Sequence, residues 1–388
     1  MTTAMISSSM LRWARERASL ELDRLAEKVN VRADKLQRWE SGEVHPTFIQ
    51  AQSLARALHI PFGFLFLSAP PQESLPIPDL RTLGNHPMGQ ISTDLRDLVS
   101  DILRKQDWYR TYLQEQGVQP PAFIGKFQLD ADASCVAEDM TVTLKLMLSD
   151  REEVSNGEAF LSLLMKKAEE AGVWVMRSGI VGGNTHRPLS VQEFRGFALC
   201  DEFAPVVFIN GKDASAAQIF TLVHELAHLW IGQSGISDLS LAQPNDTPHQ
   251  VIERFCNTVA AEVLVPKNDL CNHWIAAQSV EQNITQLATF FRVSTVVIAR
   301  RAFDLKLISW ADYTAHYQQQ AALWKKKKEE KESGGSFYRS LPVKNGRRFT
   351  QAVLQSALGR DLLLRDAGKL LGINPAKIGR LAKEIGFE

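Results

Sequence analysis

The stretch His224-Glu225-Leu226-Ala227-His228 constrains this chain more than any other. On an α-helix, positions i and i+4 stack one turn apart, so His224 and His228 leave the same face and can grip one metal ion. Glu225 stands beside the first imidazole, where its carboxylate can hold a water at an open metal position. The flanking Leu222, Val223, Leu226, Ala227 and Leu229 are apolar, which predicts a buried helix. Two histidines and a glutamate buried without a cation would leave costly polar groups unsatisfied, which disfavours an ordinary core helix.

A catalytic zinc takes three protein ligands and keeps a fourth position open. The third ligand is expected from a downstream helix, and Glu253 to Val265 reads as one, broken at Pro266. Two carboxylates compete there. Glu253 shares a face with Asn257, whereas Glu262 is about 180° away at ~100° per residue, so only one can face the metal. His249 and His273 are alternatives near helix ends. Cys135, Cys200, Cys256 and Cys271 lie far apart with no C-x-x-C pair, which argues against a thiolate site or a disulfide framework.

The 388 residues allow two to four domains, and none of the apolar runs approaches the ~20 residues of a membrane span. With reduced thiols and no basic-then-apolar leader pattern, the expected location is the cytoplasm. The zero net charge is segregated. Residues 1–66 carry nine Lys/Arg against seven Asp/Glu, and residues 325–388 carry fifteen against seven, leaving the middle acidic. Different modules with different partners are implied. Pro and Gly punctuation and the charge run place boundaries at 1–70, a linker 71–90, a core 91–320 that includes a leading helical segment, a charged linker 321–336, and a basic helical segment 337–388.

In the head, Leu25, Ala26 and Val29 form one apolar helical face and Leu36 with Trp39 continues it after a break at Asn30. Asn30 suits a left-handed turn and Gly42 a helix end. This pattern resembles the lambda-repressor-like (XRE-type) helix–turn–helix domain. The resemblance implies that roughly Arg32–Trp39 enters the major groove of double-stranded DNA, with Arg32, Lys35, Gln37 and Arg38 as contacts. Asp34 and the small charge excess imply modest affinity or binding as a homodimer.

Thr221–His228, together with Glu253-x-x-Cys-Asn-x-Val-Ala-Ala-Glu-x-Leu-x-Pro266 and the lead-in from Phe194 through Asn210, is similar to the ImmA/IrrE family of zinc-dependent metallopeptidases over about residues 150–270. Cys256 and Val259 stand where that family usually has Ala and Phe. The resemblance implies Zn2+ held by His224, His228 and Glu253, with Glu225 as general base. It also implies a reduced zincin fold and, as substrate, a regulatory protein such as a repressor or antitoxin in a stress, phage or mobile-element response. Pro205–Asn210 is expected to offer the sheet edge along which an extended peptide lies. The expected fold class is mainly α with a small β-sheet (α+β): a helix–turn–helix head, a reduced zincin-like core and a small helical C-terminal domain.

Asp366–Leu381 repeats the helix–turn–helix pattern around Gly372, with Lys377, Arg380 and Lys383 on the second helix. This segment is either a second DNA contact or a docking domain. The alternative to the peptidase is a transcriptional regulator or antitoxin-type binder whose zinc is structural or sensory. An intact Glu225 favours the peptidase, because a structural site needs no base.

Overall fold

The computed structural model describes residues 2–18, 20–71, 82–83, 86–87, 91–237, 248–327 and 337–387. The expected boundaries at 71–90 and 321–336 fall largely outside them. The chain divides into two compact units, residues 1–76 with 89–100 and residues 77–88 with 101–388.

The first unit is a set of short helices: α1 (Ser8–Arg17), α2 (Leu22–Lys28), α3 (Ala33–Glu40) and α4 (Phe48–Ala57), then a 3-10 turn at Phe62–Phe66. Leu25, Ala26, Leu36 and Trp39 are buried together with Leu11, Ala14 and Leu54. Asn30 turns the chain between α2 and α3 with φ +55°, and Gly42 at φ +78° follows α3. A Thr47–Gln50 capping box starts α4. Arg15 and Glu40 pair at 2.7 Å beneath α3, fixing its C-terminal end on α1.

The second unit begins with the two-residue strands β1 (Thr82–Leu83) and β2 (His86–Pro87). α5 (Thr93–Glu115) follows. Next come α6 (Ala133–Thr143), α7 (Ser149–Glu153) and α8 (Gly157–Glu170). Three strands follow, β3 (Trp174–Ser178), β4 (Gly196–Leu199) and β5 (Val206–Asn210), then α9 (Ser215–Trp230) and β6 (Gly235–Ser237). The all-helical remainder is α10 (Pro248–Leu264), α11 (Lys267–His273), α12 (Val280–Phe291), α13 (Thr295–Asp304), α14 (Trp310–Lys327), α15 (Phe337–Asn345), α16 (Arg347–Leu358), α17 (Leu364–Leu371) and α18 (Ile378–Glu384). The fold is therefore mainly helical with a small sheet, as expected.

The sheet order is β3-β5-β4-β6, with β3 parallel to β5 and the other pairs antiparallel. This corrects one expectation. Residues 206–210 are no sheet edge, because β3 and β4 occupy both of β5's hydrogen-bonding sides. The described edges are β3 and β6. The apolar faces of β3–β5 and of α6, α8, α9, α10, α12 and α13 enclose one continuous core.

The basic C-terminal segment packs on the opposite face of β3. The Trp174 indole N–H donates to the Asn345 carbonyl at 2.6 Å, and the Trp174 ring stacks on Phe349 at 4.5 Å between centroids. The Arg347 backbone N–H donates to the Glu169 carboxylate at 2.7 Å, and the Arg348 guanidinium to the Glu169 carbonyl at 2.7 Å. Gly346 makes the approach feasible. Its φ is +83°, and a Cβ there would lie 2.5 Å from the Trp174 ring.

Candidate metal centre

α9 is buried from Thr221 to Trp230, including His224, Glu225 and His228, each fully inaccessible. Its two sides meet the sheet and α10, and its C-terminal end is pinned. The Trp230 indole donates to Asp139 at 2.8 Å and stacks on Phe123, while Asp139 also pairs with Lys126. α10 is held at its own C-terminal end, where helix carbonyls lack internal partners. Arg151, buried between Phe160 and Phe291, donates to the carbonyls of Val263 at 3.1 Å and Leu264 at 2.6 Å. Burial pulls the Arg151 pKa down to about 10, against the nearby Asp269 and Asp150, so it remains a cation at neutral pH. Arg301 donates to Val265 O at 3.1 Å.

Between these two fixed helices, the Nε2 atoms of His224 and His228 lie 3.2 Å apart. Glu253 reaches across from α10 with Oε2 3.2 Å from His224 and Oε1 3.3 Å from His228. A tetrahedral ion with bonds of about 2.1 Å has ligand–ligand edges of about 3.4 Å. The two imidazole nitrogens therefore lie about one such edge apart with an oxygen of Glu253 about one edge from each, and one ligand atom from each of the three residues lies within 4.8 Å of the others. Among the described residues this is the one cluster of its kind.

The charges agree with a cation site. Burial lowers the His228 pKa and His224 adds to the effect, while Glu253 works against it. Burial by itself would raise the Glu253 pKa, but the two imidazoles outweigh it and bring the carboxyl to about 2. A carboxylate facing two buried imidazole nitrogens is a borderline N/O donor set suited to a divalent ion such as zinc.

The remaining candidates are elsewhere. Glu262 pairs with Arg301 and accepts the Lys267 backbone N–H at 3.1 Å, so it joins α10 to α11. His249 is exposed. His273 is also exposed, stacks near Phe290 and sits 2.8 Å from the Asp269 carbonyl. Cys256 is fully buried, and burial together with Glu253 pushes its thiol well above the usual range. Burial likewise takes Cys200 up to about 11. Neither thiol is a thiolate at neutral pH.

Glu225 points at the sheet side, and the residue that gives it room is Gly196 on β4. A Cβ there would lie 2.6 Å from Thr221, 2.9 Å from the Phe208 carbonyl and 3.0 Å from Glu225 Oε1. The lead-in around Gly196 is visible in the sequence, but its steric role depends on how β4 crosses α9. Arg151 and Asp139 carry no local signal at all, since each acts on a helix more than ninety residues away.

In the head, Arg32, Lys35, Gln37 and Arg38 all sit exposed on or just before α3, with Arg32 at its N-cap. Arg32 bonds Asp34 at 3.0 Å and Arg38 bonds Glu43 at 3.1 Å, while Lys35 lies over the Trp39 ring.

Residues 168–303 match the peptidase M78 family model described as the IrrE N-terminal-like domain. Residues 11–65 match a helix–turn–helix family, and residues 345–384 match a domain of unknown function. Comparison with curated proteins finds no match. The first of these matches spans every residue of the candidate metal centre and the second spans α3, so the chain carries a region similar to the IrrE N-terminal-like peptidase M78 domain and, ahead of it, a helix–turn–helix region.

Proposed function

We propose that this protein is a DNA-associated zinc endopeptidase that cleaves a regulatory protein, a repressor or antitoxin, in the cytoplasm. The observation that carries this is the His224–His228–Glu253 triangle with Glu225 buried beside it. His224, His228 and Glu253 would hold the ion, which when bound supplies Lewis-acid polarisation and acidifies a water. Glu225 takes a proton from the attacking water and passes it to the leaving amine. Its position one residue from His224, about 100° round α9, keeps it out of the ligand plane. Full burial of both histidines excludes bulk water from the back of the site. In the same proposal 1–70 is the DNA module, 91–320 the peptidase and 337–388 a basic C-terminal domain.

The DNA module works as a homodimer in this scheme. Two of the four basic or polar contacts of α3 are tied to carboxylates, so one copy neutralises few phosphates. Comparing the proteomes of cells expressing wild type and Glu225→Gln tests the activity. The expected result is a regulator cut only by wild type, with the variant folded and zinc-loaded. A Glu225→Gln protein retaining the full cellular effect would overturn the peptidase and favour a zinc-containing regulator.

A further inference from the structure

We infer that Gln250 is a substrate-binding residue of the same site, its side-chain amide holding the backbone of an extended peptide beside the metal. This rests on the peptidase reading above. Gln250 lies in the first turn of α10 and is 8% exposed, and its Oε1 is buried with no hydrogen-bond partner among the described residues. A buried amide oxygen without a partner is expensive and uncommon in native proteins, so something outside these residues is expected to satisfy it.

Helical spacing shows where the side chain is directed. At ~100° per residue Gln250 is about 60° from Glu253 and about 20° from Asn257. Of the α10 residues in the hydrophobic core, Cys256, Val259 and Val263 are about 120–180° away, and Ala260 and Leu264, at about 80° and 40°, lie about 15 and 21 Å further along the axis. Gln250 thus lies on the Glu253 side of α10, at the end of the helix away from those core residues. Its Cα is about 4.5 Å from that of Glu253 along the helix axis, while an extended peptide advances about 3.3 Å per residue. The residue next to a carbonyl held at the metal therefore comes within reach of this amide. A neutral amide suits that task, because Oε1 accepts a peptide N–H and Nε2 donates to a peptide C=O. The substrate feature recognised is the peptide backbone, which is independent of side-chain type.

The test uses the full-length, zinc-loaded protein and two probes. Acetohydroxamate reaches only the metal, whereas an N-acetyl dipeptidyl hydroxamate also carries backbone N–H and C=O groups. Gln250→Met keeps the side-chain length and removes the amide. The variant is expected to bind the dipeptidyl probe about tenfold more weakly and acetohydroxamate unchanged. Its zinc content should equal wild type and its melting temperature should be equal or higher, since an unpaired buried oxygen has been removed. Equal binding of the dipeptidyl probe by both proteins overturns the proposal. So does a lowered melting temperature with both probes weakened alike, which marks Gln250 as a structural partner of the chain itself. Failure of acetohydroxamate to bind zinc-loaded wild type overturns the peptidase reading, and this proposal with it.

Discussion

Glu253 and Glu262 lie on one helix, nine residues apart, and their surroundings separate their roles. Glu253 faces two imidazole nitrogens, and Glu262 faces a buried guanidinium and a helix N-terminus. Glu253→Ala is expected to lose most bound zinc, since two histidines alone form a weak site. Glu262→Ala should keep its zinc and lose on the order of 2–3 kcal/mol of stability, because Arg301 would be left buried without its carboxylate. Metal analysis and thermal melts of the two variants read this out. A zinc-replete Glu253→Ala would remove that residue from the ligand set. The His-x-x-x-His spacing was legible in sequence because it depends only on helix periodicity. The choice between the two glutamates required the resemblance, because it depends on what packs against each face of α10.

At the scale of elements, the site depends on how α9 and α10 are fixed from outside. Arg151 on α7 and Arg301 on α13 secure the end of α10, and Asp139 on α6 secures the end of α9. Such anchors escape sequence reading because each bond links residues far apart in the chain. The junction of α8, β3 and α15–α16 has a titrating centre of its own. Burial raises the Glu169 pKa to about 7, against its hydrogen bond from the Arg347 backbone N–H and the positive charges of Arg347 and Arg348, with Tyr109 also facing it. The folded state therefore holds this proton more tightly than the unfolded state does. Its contribution to stability is complete below about pH 4.5 and is lost as pH rises through about 7. Glu169→Gln can still accept the Arg347 N–H. It should flatten the pH dependence of the melting temperature between pH 5 and 8 and be the more stable protein at pH 8, by on the order of 2 kcal/mol. Parallel melting curves for the two proteins across that range would show that Glu169 does not titrate there.

For the whole molecule, the zero net charge conceals modules whose charges have different uses. In the C-terminal segment, the Arg348 guanidinium donates to the Glu169 carbonyl, so part of the basic excess serves docking on the rest of the second unit. Lys377, Arg380 and Lys383 remain on the exposed side of α18 and the turn before it. A Glu225→Gln protein is expected to bind duplex DNA as wild type does, with affinity falling steeply as salt increases. Lys35→Ala should reduce the salt slope by about one, and Arg38→Ala should blur sequence preference. Absence of duplex binding even at low salt would make the head a protein-docking module.

The two helix–turn–helix patterns, the metal helix and the mainly helical class were all determined by local periodicity and by residues with a single conformational use. Examples are Asn30 and Gly372, both in the left-handed region. Those features follow from forces acting within one or two turns of chain. Strand order was decided only in three dimensions. β5 reads as an exposed edge in sequence because nothing local records that β3 pairs on one side and β4 on the other. The fit of Gly196 over Glu225, the burial of Gln250 and the use of Arg347 as a docking contact are likewise tertiary. Each depends on which distant element comes into van der Waals or hydrogen-bond range, and those forces vanish within a few ångströms.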